Sequence, residues 1–321
     1  MTVLQGQVSY KEQCHYVTPN RVAILLETTK EAHMCEFCIQ HGEGKKWYLT
    51  MENYSLELLD QEDRREYAAK FLNGFHKRVP PEIRQLDRIR KTPLRMLAKP
   101  VLTRNQKRDH YGQVVPMEDV ERIFDLVQGA VRLPCVCRRV TTGNMNARYC
   151  YGLTMDQQLM DSLDDSFSLE TLTKDEALDS IRKLDKEGLV HSVWTFKTPF
   201  IGGLCNCDQD CMAYRITHAR KDYPVMFRAE WVAEVAADAC NGCRLCMRQC
   251  QYGAIRYSSN NKKVTVDPTV CYGCGVCRAV CNKDAIALAP RASMKEAVDV
   301  WLGWGGMGDK MRNEVTAPIL D

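Results

Sequence analysis

The chain has 321 residues, of which 45% are hydrophobic and 26% are charged, so we expect a packed core and either two domains or one domain with an appended module. The formal net charge of +3 counts all 17 cysteines as neutral and gives no case for nucleic-acid binding. No stretch of about eighteen apolar residues is present, and the N-terminus lacks an apolar signal region and a twin arginine, which predicts a cytoplasmic protein that is not transmembrane.

Residues 1–112 are predicted to form an N-terminal region of mixed structure. Residues 22–26 and 47–51 have the composition of strands, and the apolar spacing predicts a helix over 56–72. Residues 76–110 carry eleven Lys or Arg and four prolines, so they cannot form one continuous helix. We interpret this basic Pro-rich arm as a connecting or partner-wrapping segment, since it lacks the interleaved aromatic residues of a nucleic-acid groove.

The same region contains a CxxC motif close to two histidines. Cys35 and Cys38 lie between His33 and His41, with Cys14 and His15 upstream, so Cys35 and Cys38 are candidate metal ligands. The alternative is a strand, turn and strand with reduced thiols. Ile39 stands where a c-type haem motif would need His, which argues against haem.

Residues 113–235 are predicted to form a cysteine-rich middle domain. One helix has Pro116 at its start and ends near Gly129, and a second, capped near Thr173, ends at Gly188 before an alternating strand at 189–196. This order is typical of the second half of a winged-helix unit, although a plain helix and strand would give the same pattern.

Six cysteines of the middle domain are candidate ligands of an additional metal centre, because two groups separated by a small folding unit can converge. They are Cys135, Cys137, Cys150, Cys205, Cys207 and Cys211. Six sulfurs exceed the four that one cubane takes, so two are spare or serve a further cluster with Cys14, Cys35 or Cys38. An additional 4Fe-4S cluster is favoured over zinc and over metal-free thiols.

Residues 236–290 contain an internal duplication of four cysteines. The first run is Cys240, Cys243, Cys246 and Cys250, and the second, offset by 31 residues, is Cys271, Cys274, Cys277 and Cys281. Three cysteines at this spacing wrap three corners of a 4Fe-4S cubane, while the fourth points toward the other cluster. The spacing therefore predicts two clusters, held by Cys240, Cys243, Cys246 and Cys281 and by Cys271, Cys274, Cys277 and Cys250. Zinc fits less well, because zinc sites use pairs of CxxC motifs with a longer gap between them.

The duplicated run resembles the bacterial-type dicluster ferredoxins. The resemblance covers residues 236–290 and implies a ferredoxin-like module of hairpin and helix repeats related by a pseudo-two-fold axis. It also implies low-potential electron transfer. Gln251 and Asn282 stand where that family usually has Pro, so we expect ligation to be kept while the local geometry differs.

Within this module, a hairpin is predicted between 254–257 and 264–267, with its tip at Asn260 and Asn261. Between residues 240 and 286, basic residues outnumber acidic ones seven to two. These basic residues either raise the reduction potential and offer a face to an acidic partner, or are ordinary solvated charges. Residues 291–321 are predicted to begin as an amphipathic helix and to end in a glycine-rich tail with Trp301 and Trp304.

The upstream motifs PCVCR, GLVH after a helix, and CNCxxxC resemble the N-terminal regions of larger 4Fe-4S dicluster proteins of anaerobes. The resemblance implies cluster-carrying proteins that work beside oxidoreductases in anaerobic cells.

We predict an α+β fold in which the ferredoxin-like module is joined to a larger cysteine-rich domain of mixed helix and strand. The favoured function is multi-cluster electron transfer, as a subunit or dedicated redox partner of a larger oxidoreductase, with no catalytic residue assigned. The alternatives are an iron-sulfur protein with an open catalytic cluster and a redox-sensing DNA-binding regulator. No dinucleotide fingerprint and no small-molecule substrate site is evident in the sequence.

Overall fold

The computed structural model describes residues 45–300, except 62, 93, 128, 166 and 299. The predicted strand at 22–26, the candidate ligands Cys35 and Cys38, and the tail residues Trp301 and Trp304 lie outside the described residues.

One short helix comes first in the described chain, two long helices follow it, and the later helices are shorter than these two. They are α1 (Leu56–Leu59), α2 (Arg64–Arg90), α3 (Leu94–Asp109), α4 (Met117–Leu126), α5 (Val136–Thr141), α6 (Gln157–Asp161), α7 (Lys174–Lys186), α8 (Met212–Tyr214), α9 (Leu245–Gln249) and α10 (Val276–Ala279). Turns of 3-10 helix cover Trp47–Leu49, Met51–Tyr54 and Arg291–Ser293, and a π-helical turn, Arg215–Ala219, continues α8.

A seven-stranded sheet forms the centre of the upstream domain. Its strands are β1 (Gly112–Val114), β2 (Gly129–Leu133), β3 (Cys150–Gly152), β4 (Glu170–Thr173), β5 (Val190–Thr195), β6 (Ile201–Cys207) and β7 (Met226–Phe227). The order is β4-β2-β3-β6-β5-β1-β7, and every pair is antiparallel except β1 with β7.

The two faces of this sheet are covered by different elements. On one face, Ile123 of α4 and Ile181 of α7 pack in a buried cluster with Leu204 of β6. On the other face, Phe71 of α2 and residues of α8 pack in a second cluster that also contains Tyr252 and Tyr272 of the C-terminal module. Cys205 and Cys207 belong to the second face, so that face carries the cysteines of β6.

The C-terminal module consists of two small antiparallel sheets and two short helices. β8 (Trp231–Val235) pairs with β11 (Ile286–Pro290), and β9 (Ile255–Ser258) pairs with β10 (Lys263–Val266), which confirms the predicted hairpin. Because β8 precedes the predicted boundary at 236, the paired structure of the module begins earlier than expected.

The predicted helices and strand of the middle domain are confirmed as α4, α7 and β5. Helix α7 begins with a capping box, in which the Thr173 side chain accepts a hydrogen bond from the Glu176 N–H and the Glu176 carboxylate accepts one from the Thr173 N–H. The strands β5 and β6 that follow are central strands of the seven-stranded sheet. The winged-helix interpretation stays a prediction.

The strand predicted at 47–51 was wrong, since two consecutive 3-10 turns cover this segment. Trp47 and Tyr48 are both buried, whereas adjacent side chains of a strand point to opposite faces. The Trp47 Nε1 donates to the Gln113 side chain and the Tyr48 hydroxyl donates to Asp119, so the turn directs both rings toward the core.

Residues 76–110, which we interpreted as a connecting or partner-wrapping arm, are helical over most of their length. The segment is not one continuous helix, as expected, but α2 continues through Pro80 and Pro81 to Arg90, and α3 contains Pro100. The two prolines remove successive backbone donors, and we attribute the tolerance of α2 to the burial of Phe71, Phe75 and other apolar residues that precede them. The basic arm is therefore a pair of helices.

The helix predicted from 291 is replaced by a 3-10 turn and further turns within the described part of the tail. In the described part of the chain, no helix is both long enough and apolar enough to cross a bilayer.

Two glycines of the module differ in how closely neighbouring atoms approach them. Both have left-handed backbone conformations, with φ of +71° at Gly273 and +69° at Gly253. A Cβ at Gly273 would lie 2.0 Å from the Trp231 carbonyl oxygen, whereas a Cβ at Gly253 would have nothing within 4 Å.

We therefore expect Gly253→Ala to cost about 1 kcal/mol from the left-handed conformation alone. Gly273→Ala should cost more than about 3 kcal/mol, because strand β8 must also move. Anaerobic guanidinium unfolding followed by tryptophan fluorescence measures both. Equal losses in the two variants would contradict the close approach of β8.

Candidate iron-sulfur centres

Four thiols from both cysteine runs surround one cavity at the outer end of the module. The cavity has a volume of about 20 Å³, and the thiols that line it are Cys240, Cys243, Cys246 and Cys281. Three come from the first run and one from the second, which is the set that the spacing predicts. We call these four residues the distal group.

The other four thiols of the two runs lie deeper in the molecule. They are Cys250, Cys271, Cys274 and Cys277, which we call the proximal group. Cys250 and Cys274 pack in the cluster of buried residues that covers the second face of the upstream sheet. Burial raises the pKa of the Cys274 thiol well above its usual range, and the neighbouring Cys277 and Cys250 thiols raise it further. Cys271, Cys274 and Cys277 are buried, and Cys250 is partly buried.

Backbone N–H groups donate to sulfur in the same pattern in both runs. The donors and acceptors are Gly242 to Cys240 at 3.4 Å, Gly273 to Cys271 at 3.3 Å, Ala254 to Cys250 at 3.4 Å and Ala285 to Cys281 at 3.4 Å. The duplication in the sequence is thus repeated in the hydrogen bonds. Donors to sulfur stabilise the thiolate form, which is the form that binds iron.

Two buried arginines lie against the proximal group. Arg228 and Arg291 donate to the Cys271 carbonyl oxygen at 2.9 and 2.7 Å, and their residues are 1% and 0% exposed. Burial lowers the pKa of both guanidinium groups, that of Arg291 to about 10, while the Cys271 thiol acts in the opposite direction. Positive charge in this position favours a bound group of negative charge, such as a 4Fe-4S core with four thiolates.

The surroundings of the distal group are more open. Cys243 is exposed, whereas its counterpart Cys274 is buried. Several of the basic residues around the runs already have partners: Arg256 pairs with Asp267, Arg278 pairs with Glu118, and Lys263 donates to the Cys240 carbonyl oxygen. Arg248, Lys262 and Lys283 are exposed.

The six upstream cysteines converge on the second face of the seven-stranded sheet. Cys135 and Cys137 lie at the start of α5, Cys150 and Cys205 are paired across β3 and β6, Cys207 ends β6, and Cys211 precedes α8. The Cys150 and Cys135 sulfurs are 3.4 Å apart. The structure therefore brings together two groups that are about 55 residues apart in the sequence.

The upstream thiols differ in their electrostatic surroundings. A hydrogen bond from the Cys150 thiol, helped by the Tyr149 N–H and Arg138, lowers the pKa of Cys135 to about 7. The pKa of Cys150 is raised, first by its hydrogen bonds with Cys135 and Cys205 and then by burial. Burial and the neighbouring thiols likewise raise the pKa of Cys137. Such closely coupled thiols suit a centre whose positive metal ions would hold several of them as thiolates.

Among the described residues, no three His, Cys, Asp or Glu side chains are close enough to share a single metal ion. A cubane places its thiolates on four separate irons, so its ligands need not converge on one point. The distal group, whose four thiols line one cavity, supplies the four ligands that such a cluster needs.

Gln251 and Tyr252 join the module to the upstream cysteines. The Gln251 amide donates to the carbonyl oxygens of Gly188 at 2.6 Å and Cys207 at 3.2 Å. Tyr252 is buried and stacks on Tyr272, with ring centroids 3.8 Å apart. Its pKa is raised chiefly by burial, with further contributions from the Cys274 thiol of the proximal group and the upstream Cys207 thiol. Tyr252 is therefore packed in one buried cluster with a thiol of each group.

The contacts of Gln251, Tyr252, Arg228 and Arg291 near the cysteines were not predicted from the sequence. Only Gln251 carried a signal, because it replaces the Pro that usually follows the fourth cysteine. A proline has no side-chain amide and could not make the two hydrogen bonds to the upstream domain.

Comparisons with known proteins identify the C-terminal segment. Residues 239–285 match the family described as "4Fe-4S dicluster domain", so the chain carries a dicluster domain that supports two 4Fe-4S clusters. The indolepyruvate oxidoreductase subunit IorA of Thermococcus kodakarensis is 37% identical over 78 residues, which are 24% of this chain and 11% of that protein. The archaeal-type glutamate synthase [NADPH] of Thermotoga maritima is 39% identical over 59 residues, 18% of this chain and 12% of that protein. The chain thus spans about a tenth of the length of the relatives that it matches.

We expect Gln251→Ala to loosen the contact between the module and the upstream domain, because two partly buried hydrogen bonds are lost. The loss should be about 1–2 kcal/mol and should speed the decay of the visible cluster absorbance in guanidinium by about 5- to 30-fold. Asn282→Ala, the same change at the matching exposed position of the second run, is the control and should leave the rate unchanged. Equal effects of the two variants would exclude this role of the Gln251 contact.

We expect Arg228→Met to make the potential of the proximal centre more negative, because a buried positive charge stabilises the reduced cluster. The shift should be on the order of 50–100 mV. Arg256→Met removes an exposed charge of the same module and should shift either potential far less. EPR-monitored redox titration measures both, and an unchanged potential in Arg228→Met would contradict the electrostatic role.

Proposed function

We propose that this protein carries single electrons through two 4Fe-4S clusters in the C-terminal module and a third cluster at the upstream cysteines. We further propose that it acts as a subunit or dedicated redox partner of a larger oxidoreductase in the cytoplasm. The observation that carries the proposal is the cavity that three thiols of one run and the last thiol of the other line together.

For the two clusters of the module, we assign the distal group and the proximal group as ligands. The repeated N–H to sulfur hydrogen bonds support both assignments, since they hold equivalent sulfurs of the two runs in equivalent positions. The buried arginines support the proximal assignment. When bound, such clusters accept and release one electron at a time at low potential.

For the third cluster, we assign four of the six upstream cysteines. Their convergence from α5, β3, β6 and the start of α8 supports a shared centre, and so does the cavity that five of them line. Zinc is less favoured for this centre, because it needs four ligands around one ion and no three such side chains of the described residues are close enough to share one.

The arrangement of the groups suggests an order for the centres. The upstream thiol Cys207 and the proximal thiol Cys274 pack in one buried cluster with Tyr252, whereas Cys243 of the distal group is exposed. We therefore place the upstream centre and the solvent-facing distal centre at opposite ends of the path, with the proximal centre between them.

The relatives support an oxidoreductase complex only in general terms. The names of these relatives describe an oxidoreductase subunit and a glutamate synthase. The matches cover 24% and 18% of this chain. We take from them that a dicluster segment of this kind works beside a catalytic unit, and we propose a protein partner that docks near Cys243.

A catalytic role for the upstream centre is the second candidate. It is favoured by the cavity that five of the six thiols line, which is larger than the cavity of the distal group. Four protein thiolates on every cluster would support electron transfer alone, whereas a cluster with three would leave one iron open to a ligand.

The metal content tests the proposal directly. We expect about twelve irons and twelve sulfides in each anaerobically purified chain, and about eight would limit the protein to the two clusters of the module. Replacing Cys205 and Cys207 together by alanine should lower the iron content to about eight while the EPR signals of the module remain. Replacing Cys35 and Cys38 together tests separately whether this pair supplies ligands, and an unchanged iron content would exclude that role. If the first pair changes neither iron nor spectrum, the third cluster is excluded.

A further inference from the structure

We propose that the cavity beside the upstream cysteines binds a small, neutral, flat molecule that donates a hydrogen bond to His110. A five-membered aromatic ring with an N–H group has the required size and chemistry. This inference deepens the proposed function, because the ligand would lie beside the third centre.

The cavity beside the upstream cysteines has a volume of about 80 Å³, about four times the volume of about 20 Å³ within the distal group. Because one buried water needs about 10–15 Å³, the upstream cavity has room for at least about five non-hydrogen atoms.

The floor of the cavity is formed by neighbouring strands of the sheet. Along β3, β6 and β5, Cys150 pairs with Cys205, and two residues further Gly152 pairs with Gly203, which in turn pairs with Trp194. A Cβ at Gly203 would make only ordinary contacts at 3.7–3.8 Å, so this position has room for one more carbon atom, whereas the Met155 side chain already packs against Gly152. The floor thus passes from a row with sulfurs to a row with glycines, where the room lies at Gly203.

The wall of the cavity above the glycines is mostly apolar. Aromatic side chains dominate it, among them Phe71, Trp194 and Phe196, and none of the lining residues carries an acidic or basic side chain other than His110. An apolar wall without a counter-charge excludes a charged ligand, because burying an unpaired charge is costly. Flat rings on several sides favour a flat ligand.

His110 lines the cavity, and one contact fixes its tautomer. Its Nδ1 lies 2.6 Å from the Thr195 carbonyl oxygen, which can only accept, so Nδ1 carries the hydrogen and Nε2 is left as an acceptor. The ring is held against Phe71 and Trp194, with centroids 4.1 and 5.0 Å away. Burial lowers the pKa of His110 to about 3, so the imidazole is neutral at physiological pH. A ligand that meets it must therefore be a donor.

Pyrrole and furan are matched probes, since they have the same size and only pyrrole carries an N–H. With the anaerobic holoprotein, ligand-observed NMR titration should show saturable binding of pyrrole, about five-fold weaker binding of furan, and no binding of pyrrole-2-carboxylate. His110→Phe should abolish the difference between pyrrole and furan and leave furan binding unchanged.

Ala68→Leu on α2 fills the cavity and should weaken pyrrole binding more than ten-fold. Ala69→Leu is the matched control, because residue 69 does not line the cavity and its variant should bind normally. If Ala68→Leu lowers the iron content, Gly203→Ala replaces it as the filling variant. Absence of pyrrole binding, or binding that neither filling variant weakens, would overturn the proposal.

The iron count separates this inference from the proposed function. Pyrrole binding with only about eight irons per chain would remove the third cluster and leave the pocket. About twelve irons without pyrrole binding would remove the pocket and leave the electron path.

Discussion

Neither cysteine run surrounds a cavity by itself, and this constraint organises the C-terminal module. The cavity of the distal group takes Cys281 from the second run, so the two halves of the duplication must fold against each other before four sulfurs meet. The strand pair β8 and β11 and the hairpin β9 and β10 hold the halves in this relation. The paired glycines at 242 and 273 then allow the chain to turn tightly next to neighbouring backbone.

The two groups of the module differ in what surrounds them, although their hydrogen bonds to sulfur are alike. The proximal group is packed against the upstream sheet and has two buried guanidinium groups at Cys271. The distal group has exposed charges, which water and salt screen. One duplicated sequence therefore produces two electrostatic environments, because only one copy is covered by the rest of the chain.

The sequence predicted local features more reliably than long-range ones. The hairpin at 255–266, the helix with its capping box at Thr173 and the dicluster run follow from short patterns whose physical causes lie within a few residues. The helix through Pro80 and Pro81 was missed, because burial of the preceding turns overrides the local preference of proline. The contacts of Arg228 and Gln251 join residues more than 40 positions apart, so no local pattern could announce them.

The exposure of Cys243 also bears on how the protein withstands air. Dioxygen and peroxide arrive from the solvent, so the outer sulfur cage is the first that they reach, while the inner cage is shielded by Tyr252, Tyr272 and the upstream sheet. Oxidative damage should therefore begin at the distal group, and a protein docked at Cys243, as proposed above, would protect it. Under that proposal, the site where electrons leave the molecule is also the site most easily oxidised.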